Sequence, residues 1–463
     1  MNRKLKRQYR TAVIQLLAIT LAVAQTPAQQ QYDSLAVSVF KSSLLTGEAY
    51  TTLTELTTKI GSRLSGSPNA AKAVAWAKDK MEQFGLEQVH LEPCMVPHWV
   101  RGETEKAAII PSGEERIPVA ITALGGSVAT PEEGITAGVV EVHTFQELHE
   151  MGTAAQGKIV FFNRPFDKTK FDTFAAYGEA VNQRWAGAME ASKAGGVLSL
   201  VRSVTPHLDR VPHTGVMGYV ESLPRVPGVA ISTADADLLS GLLKKDKNLQ
   251  VYVKVSCQTL PDVESANVVG ELRGTEFPDE VVLVGGHLDS WDKGQGAHDD
   301  GAGVVQSMEA LRLLKALGLK PRRTIRAVAF MNEENGGRGG EAYAAKDRPG
   351  EKHIAAIESD MGGFMPRAFG VSADSVRYER IARWAHLFSP IWADKFVHGG
   401  GGTDISYLEK KGVPQIALIP DMQRYFTYHH SDNDTIDKVD ERELELGAAC
   451  LAILTYVLAQ EGV

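Results

Sequence analysis

Four loops of the chain close short apolar runs with side chains that can bind a metal ion or move a proton. His287, with Asp289 just beyond it and Asp299 further along the same loop, follows the run 281–284, and the pair Glu333 and Glu334 follows 324–331. Asp360 closes the run 353–358, and His430 stands in the loop YFTYHHSDNDT at 425–435. One loop histidine or solvated acid alone means little. Gathered at the ends of successive strands, they form a set of imidazoles and carboxylates without a thiolate, which suits zinc, with manganese or cobalt as substitutes. The three cysteines, Cys94, Cys257 and Cys450, are too few and too scattered for a disulfide framework or a cysteine-rich zinc site. Two of them could still pair in an exported protein, and the sequence does not choose which.

The elements that must position these groups are readable around them. Residues 281–337 run as buried strand, polar loop, helix, buried strand and acidic loop. Val304, Met308, Leu311 and Leu314 recur on one helical face between two β-branched-rich runs. This βαβ order predicts two parallel neighbours whose carboxyl ends carry the polar residues, and that edge of an open α/β sheet is where ligands bind. Beyond it come a strand at 353–358, a helix at 375–388, the glycine-rich loop 398–404, a helix to 411, a strand at 415–419 and a last helix from about 441 to 459. The alternation predicts an α/β fold, a mainly parallel or mixed sheet covered by helices on both faces.

Upstream, a polar, glutamine-rich spacer extends to Tyr32, and 33–90 reads as mainly helical. Its segment 70–84 is amphipathic, capped by Ser67 or Asn69 and stopped by Gly85. A strand at 88–96 contains Pro93 and therefore belongs at a sheet edge. From 117 to 258 the texture changes to short β-like runs and glycine-rich turns, with helical stretches only near 174–194 and 234–243. This segment reads as a β-rich unit inserted into a main domain formed by 33–116 and 259–463. Its histidines 143, 149, 207 and 213 show no ligand spacing, and HEMGT at 149–153 lacks the second histidine of HExxH.

An apolar fraction of 43% with 23% charged residues is ordinary for a globular chain. A net charge of -8 argues against a nucleic-acid surface, which needs a basic stripe. Arg3, Lys4, Lys6, Arg7 and Arg10, without an acid, precede an apolar run at 12–24 that ends in Ala22-Val23-Ala24. That is the pattern of a signal peptide over 1–24, implying export to the periplasm or the exterior. The run is short for a membrane span, no second candidate span is evident, and no stable span is expected after cleavage. A serine-nucleophile elbow GxSxG is absent. The nearest phosphate-loop match, 152–159, has Ile159 where Ser or Thr is required and runs into a predicted strand.

His-x-Asp-Ser at 287–290, Gly-Ala-x-Asp-Asp-Gly at 296–301, Asn-Glu-Glu at 332–334, Glu-Ser-Asp at 358–360 and His-Ser-x-x-Asp-Thr at 430–435 together resemble the motifs of the M28 co-catalytic dizinc peptidases, in order and spacing. The resemblance covers roughly 260–463, and the inserted unit resembles the protease-associated domain of several members. It implies two Zn2+ per chain. Asp299 would bridge them, Glu334 and His430 would complete one site, and His287 and Asp360 the other, leaving each metal an open position for a shared water. Glu333 would be the general base and Asp289 would orient the imidazole of His287. A non-proline cis peptide is implied between Asp299 and Asp300. His429 stands where relatives often place a tyrosine that donates to the oxyanion, with Tyr425 and Tyr428 as competing donors, and Asp404 is expected to fix the glycine-rich loop. The implied activity is exopeptidase cleavage of unblocked dipeptides or short peptides, and a homodimer is implied as well. The alternatives are an aminopeptidase acting on longer peptides, or a receptor-like protein of the same fold with broken ligands, and no ligand is broken here.

Overall fold

The computed structural model describes residues 27–463, so the expected signal peptide lies outside the described residues. Two eight-stranded sheets organise them. The main sheet contains β1 (Glu87–Val100), β2 (Gln258–Leu272), β3 (Phe277–His287), β4 (Arg323–Phe330), β5 (Lys352–Glu358), β6 (Pro366–Ser372), β7 (Lys395–His398) and β8 (Gln415–Pro420), in the spatial order β1-β2-β4-β3-β5-β8-β6-β7. The strands β4, β3, β5 and β8 are mutually parallel, whereas β1, β2 and β6 join antiparallel. The sheet is therefore mixed, with a parallel centre, and β1 with its Pro93 is at an edge as expected.

Why the centre is parallel follows from its side chains. Val282 and Val284 of β3 pack into one core, while Leu283 between them packs into another with Val328, Phe330 and Tyr343. A strand with period-two side chains buried on both faces needs a helical layer on each side, and helical crossovers join parallel strands. On one face lie the helices Ala302–Ala316 and Glu441–Glu461, and on the other Arg338–Ala345. The chain leaves β3 to one neighbour, β4, and then crosses to the other, β5. This reversal of strand order opens a crevice at the carboxyl end of β3, where the chemistry-bearing loops meet.

Several expectations are corrected. The segment before Tyr32 is no spacer but part of a helix, Pro27–Thr46, which is tied to the last helix by Tyr32 Oη donating to Glu461 at 2.6 Å. That last helix, Glu441–Glu461, is long and apolar enough to span a membrane, but 89% of its apolar window is buried inside the protein, and it serves as a core helix. The helix expected at 375–388 is Ser375–Ala382 followed by a 3-10 turn, Ala385–Ile391. Ser67 is the cap of Pro68–Gln83, accepting the Ala70 N–H at 3.1 Å. All three cysteines are free and buried.

The second sheet has the order Ile117–Val119, Glu105–Ile110, Gln250–Val255, Ile135–Val142, Ile159–Phe162, Leu198–Arg202, Gly228–Ile231, Ile121–Ala123. The boundary expected at 117 falls inside it, because Glu105–Ile110 pairs with Gln250–Val255 and not with the main sheet. Nothing in the local sequence of that strand distinguishes the two sheets. Its pairing is set by a partner far along the chain.

Candidate metal centre

Each expected ligand lies at the crevice, in or just beyond a structural element. His287 is the last residue of β3, Glu334 follows β4, Asp360 follows β5, Asp299 lies in the turn Ala297–Gly301, and His430 follows the short helix Tyr425–Tyr428. The structure brings all five together. Nε2 of His287 lies 3.2 Å from Oδ1 of Asp299 and 3.3 Å from Oδ1 of Asp360. Nε2 of His430 lies 3.3 Å from Oδ2 of Asp299 and 3.0 Å from Oε2 of Glu334. Asp299 thus turns one carboxylate oxygen to each imidazole, the disposition of a bridging carboxylate between two positions.

The donors fit a metal ion on independent grounds. Nε2 of His287, Oδ2 of Asp299 and Oδ1 of Asp360 are buried atoms without a hydrogen-bond partner. Buried polar atoms are seldom left so unless something else satisfies them. Nitrogen and oxygen donors converging on one spot offer the chemistry that zinc accepts.

What holds the donors is only partly what was expected. Nδ1 of His287 meets the backbone carbonyl of Asp289 at 3.0 Å, while the Asp289 carboxylate is 4.0 Å away. That carboxylate accepts the backbone N–H groups of Asn332 at 2.6 Å, Glu333 at 3.1 Å and Glu334 at 3.4 Å. The expectation that it orients the imidazole is therefore corrected: a carboxylate facing three unpaired N–H groups is held by them, and the carbonyl of the same residue takes the ring. Asp404 is corrected likewise. Neither of its buried oxygens has a partner, and Glu358 holds the glycine-rich loop instead by accepting the Ile405 N–H at 3.0 Å.

Two positioning acids lie inside the motifs without having been singled out. Asp300 accepts the N–H groups of His287 at 3.0 Å and Gly303 at 2.8 Å, and its peptide with Asp299 is cis. Asp434 accepts those of His298 at 2.7 Å and Asp299 at 3.1 Å. Gly303 allows the helix to begin this close to β5, since a Cβ there would fall 1.8 Å from the carbonyl oxygen of Ser359. The fully buried Arg63 fixes the intervening loop by donating to the carbonyls of Leu288, Gln295 and Gly296.

The second sheet's unit reaches this centre as well. The N–H of Thr214 donates to the carbonyl of His430 at 2.8 Å, and Nδ1 of His213 meets the carbonyl of His429 at 2.7 Å. His430 has φ of +60°, and this pair of contacts braces it there. An aromatic cluster continues the contact: Tyr177 stacks on Phe426 with ring centres 4.4 Å apart, and Phe174 stacks on Tyr425 at 5.6 Å. No spacing signal pointed to His213. Its role arises from tertiary contact.

His429 stacks on His430 with ring centres 3.4 Å apart, and its Nε2 lies 3.8 Å from Oδ2 of Asp299. Burial, reinforced by Arg184, pushes the affinity of both His429 and His430 for a proton well below the imidazole norm. The Tyr425 ring lies 5.2 Å from that of His429, and Tyr428 stacks beside His298 and Phe364.

Electrostatically the crevice is an excess of buried carboxylates. Burial raises the pKa of Glu334 well above the usual range, and the Asp299 carboxylate adds to that shift. Burial raises Asp360 too. Glu333 is pushed up to about 7 by burial and, in second place among the raising influences, by Asp360. For Asp299 burial acts in the same sense but is outweighed by the neighbouring imidazoles of His287 and His430, so its pKa is lowered. Carboxylates this close raise one another's proton affinity, and a divalent cation among them reverses that.

A model of peptidase family M28 matches residues 267–454. Carboxypeptidase Q from Bos taurus is 40% identical over 413 residues, spanning 89% of this chain and 85% of that protein. Among solved structures, a peptidase M28 precursor from Shewanella amazonensis SB2B superposes with a TM-score of 0.88 at 35% identity, covering 94% of this chain and 98% of that one. A zinc aminopeptidase from Bacillus subtilis shares the fold, with a TM-score of 0.66 at 20% identity over 90% of this chain and 96% of that one.

Proposed function

Because the chain belongs to peptidase family M28 and is a metallo-exopeptidase, we propose that it is an exported, co-catalytic dizinc enzyme that hydrolyses dipeptides or short peptides. The observation that carries the two-metal reading is the carboxylate of Asp299, with one oxygen 3.2 Å from Nε2 of His287 and the other 3.3 Å from Nε2 of His430. His287 and Asp360 would hold one ion, Glu334 and His430 the other, with Asp299 common to both. When bound, the ions supply Lewis acidity and an acidified water.

The remaining steps belong to side chains. Glu333 takes a proton from the attacking water as its oxygen joins the scissile carbonyl carbon, and returns it to the leaving amine as the C–N bond breaks. Asp289 keeps Glu333 aimed by holding the backbone N–H of its turn. His429, neutral because its proton affinity is depressed, donates to the tetrahedral oxyanion. Tyr425 and Tyr428 are less suited, since the first is packed between Phe174 and Phe426 and the second against His298.

The basic and apolar leader supports export, and we read the second sheet's unit as a protease-associated-like domain. Carboxypeptidase Q relatives at 40% identity support a substrate with a free carboxyl end. Metal analysis of the purified protein tests the centre: about two zinc ions per chain are expected, and one or none would sink the dizinc reading.

A further inference from the structure

Among the described residues, buried carboxylate and amide oxygens without a hydrogen-bond partner fall into two groups. Oδ2 of Asp299 and Oδ1 of Asp360 belong to the proposed metal centre, whereas Oε1 of Glu358, both oxygens of Asp404 and Oε1 of Gln415 belong with the glycine-rich loop 398–404. Glu358 and Asp404 are each 1% exposed and Gln415 4%. None of the three is a proposed zinc ligand, so loading that centre leaves these oxygens unanswered.

The sheet and the loop bring them together. Glu358 ends β5 opposite Ala417 of β8, and Gln415, two residues earlier on β8, shares its face. The loop closes directly over both. A Cβ at Gly402 would fall 2.0 Å from Oε1 of Glu358, and one at Gly401 would fall 3.8 Å from Oε1 of Gln415. Nε2 of Gln415 donates to the Val413 carbonyl at 3.1 Å, which fixes the amide and leaves its oxygen on the loop side. Asp404 is drawn in through its neighbour, since the Ile405 N–H donates to Oε2 of Glu358 at 3.0 Å. Burial and, next, the charge of Glu358 hold the Asp404 carboxyl well above its usual range, as two adjacent acids require.

Other buried acids of the main domain are answered. Glu92 meets Lys346 and Arg348, Glu271 meets Arg326, and Asp289 accepts three N–H groups, but nothing meets either oxygen of Asp404. One proton shared by the two carboxyls would satisfy at most two of the four oxygens, whereas a cation satisfies all of them. The donors are hard oxygens that carry two negative charges and include no nitrogen or sulfur, the set that calcium accepts in flexible geometry with carbonyls and waters completing its shell. A cleft of about 270 Å³, whose lining includes Gly400, Gly401, Gly402, Ser406 and Gln415, gives a route in from the surface.

We propose that Glu358, Asp404 and Gln415 hold a calcium ion, at a site separate from the zinc pair, which ties the glycine-rich loop to β5 and β8. The assignment goes beyond the hydrolytic reading and does not depend on it.

The test begins with elemental analysis of the purified zinc-loaded protein, because a site already filled gives no heat on titration. After dialysis into calcium-free buffer that contains zinc, Ca2+ is titrated by calorimetry and the melting temperature is followed, with zinc content measured alongside. One Ca2+ per chain should bind, Tm should rise by a few degrees at saturation, and zinc should stay in place. Asp404→Asn and Glu358→Gln each remove one ligand charge and should weaken Ca2+ binding by about tenfold or more, with the gain in Tm reduced to match. Should neither variant fold, Gln415→Met removes a neutral donor and should bind Ca2+ less tightly than the wild type. Absence of calcium from the purified protein together with no binding on titration overturns the assignment. Equal affinity in wild type and variants overturns it as well, as does binding of Ca2+ only while zinc is lost. A larger response to Mg2+ or K+ than to Ca2+ overturns the choice of calcium.

Discussion

Thr214 donates its backbone N–H to the carbonyl of His430 at 2.8 Å, although the two residues belong to different sheets' units. Together with His213 on the carbonyl of His429, it makes the turn that carries a proposed ligand a shared product of both units. His213→Ala leaves that carbonyl buried and unpaired, which costs about 1–3 kcal/mol of stability. Loosening the support of a ligand also lowers metal affinity by about 10- to 100-fold. Thermal unfolding and a competitive zinc titration should therefore both shift, and an unchanged zinc affinity would argue that His213 merely fills space.

Asp289→Asn removes one acceptor from under the Glu333 turn while leaving the backbone carbonyl that meets His287. Turnover should fall by about 10- to 100-fold while zinc content stays near wild type, because the damage falls on the turn more than on the imidazole. Loss of zinc in parallel with activity would restore the orienting role that the side chain was first expected to have.

Glu333→Gln keeps the shape and the backbone contacts of the site but cannot take up a proton. Hydrolysis of Ala-Leu should drop by about 10²- to 10⁴-fold with zinc retained. Turnover equal to wild type would remove Glu333 from the mechanism.

Glu445, far from the crevice, offers a pH test of the fold. It is 4% exposed, accepts the Tyr50 N–H at 3.1 Å, and burial with the nearby Glu309 raises its pKa from 4.5 to about 7. The folded protein therefore binds more protons than the unfolded chain between those values, so this residue's contribution to stability is largest below pH 4.5 and declines as pH rises toward 7. On the order of 3 kcal/mol is at stake. Glu445→Gln should flatten the pH dependence of the melting temperature across that interval, and an identical slope in both proteins would refute the assignment.

The parallel pairing of β3 and β4, the edge position of β1 and the convergence of His287, Asp299, Glu334, Asp360 and His430 were legible because each rests on a local pattern: apolar runs, a proline, and polar residues placed just past strand ends. The division of labour within Asp289 was not, since a carboxylate's choice between an imidazole two residues away and three N–H groups over forty residues away depends on the turn after β4. The helix at Pro27–Thr46 was hidden for a related reason. Its glutamine-rich start carries no apolar stripe, and docking on the helix Glu441–Glu461 is what the sequence window cannot show. Arg184, His213 and Thr214 sit in a unit whose residues gain meaning only when folded against the other.

Strands β1 and β2 are antiparallel partners from Glu87 opposite Glu271 to Val100 opposite Gln258. Everything between Val100 and Gln258 is, in topological terms, the loop of one hairpin, where an ordinary turn would use about two to five residues. A guest that enters and leaves through a single turn can be exchanged without rethreading its host. The five proposed metal ligands and Glu333 belong to the host, whereas the brace on His430 belongs to the guest. Exchanging the guest would therefore also remove the support of one proposed ligand, so a replacement must bring its own contacts to the carbonyls of His429 and His430.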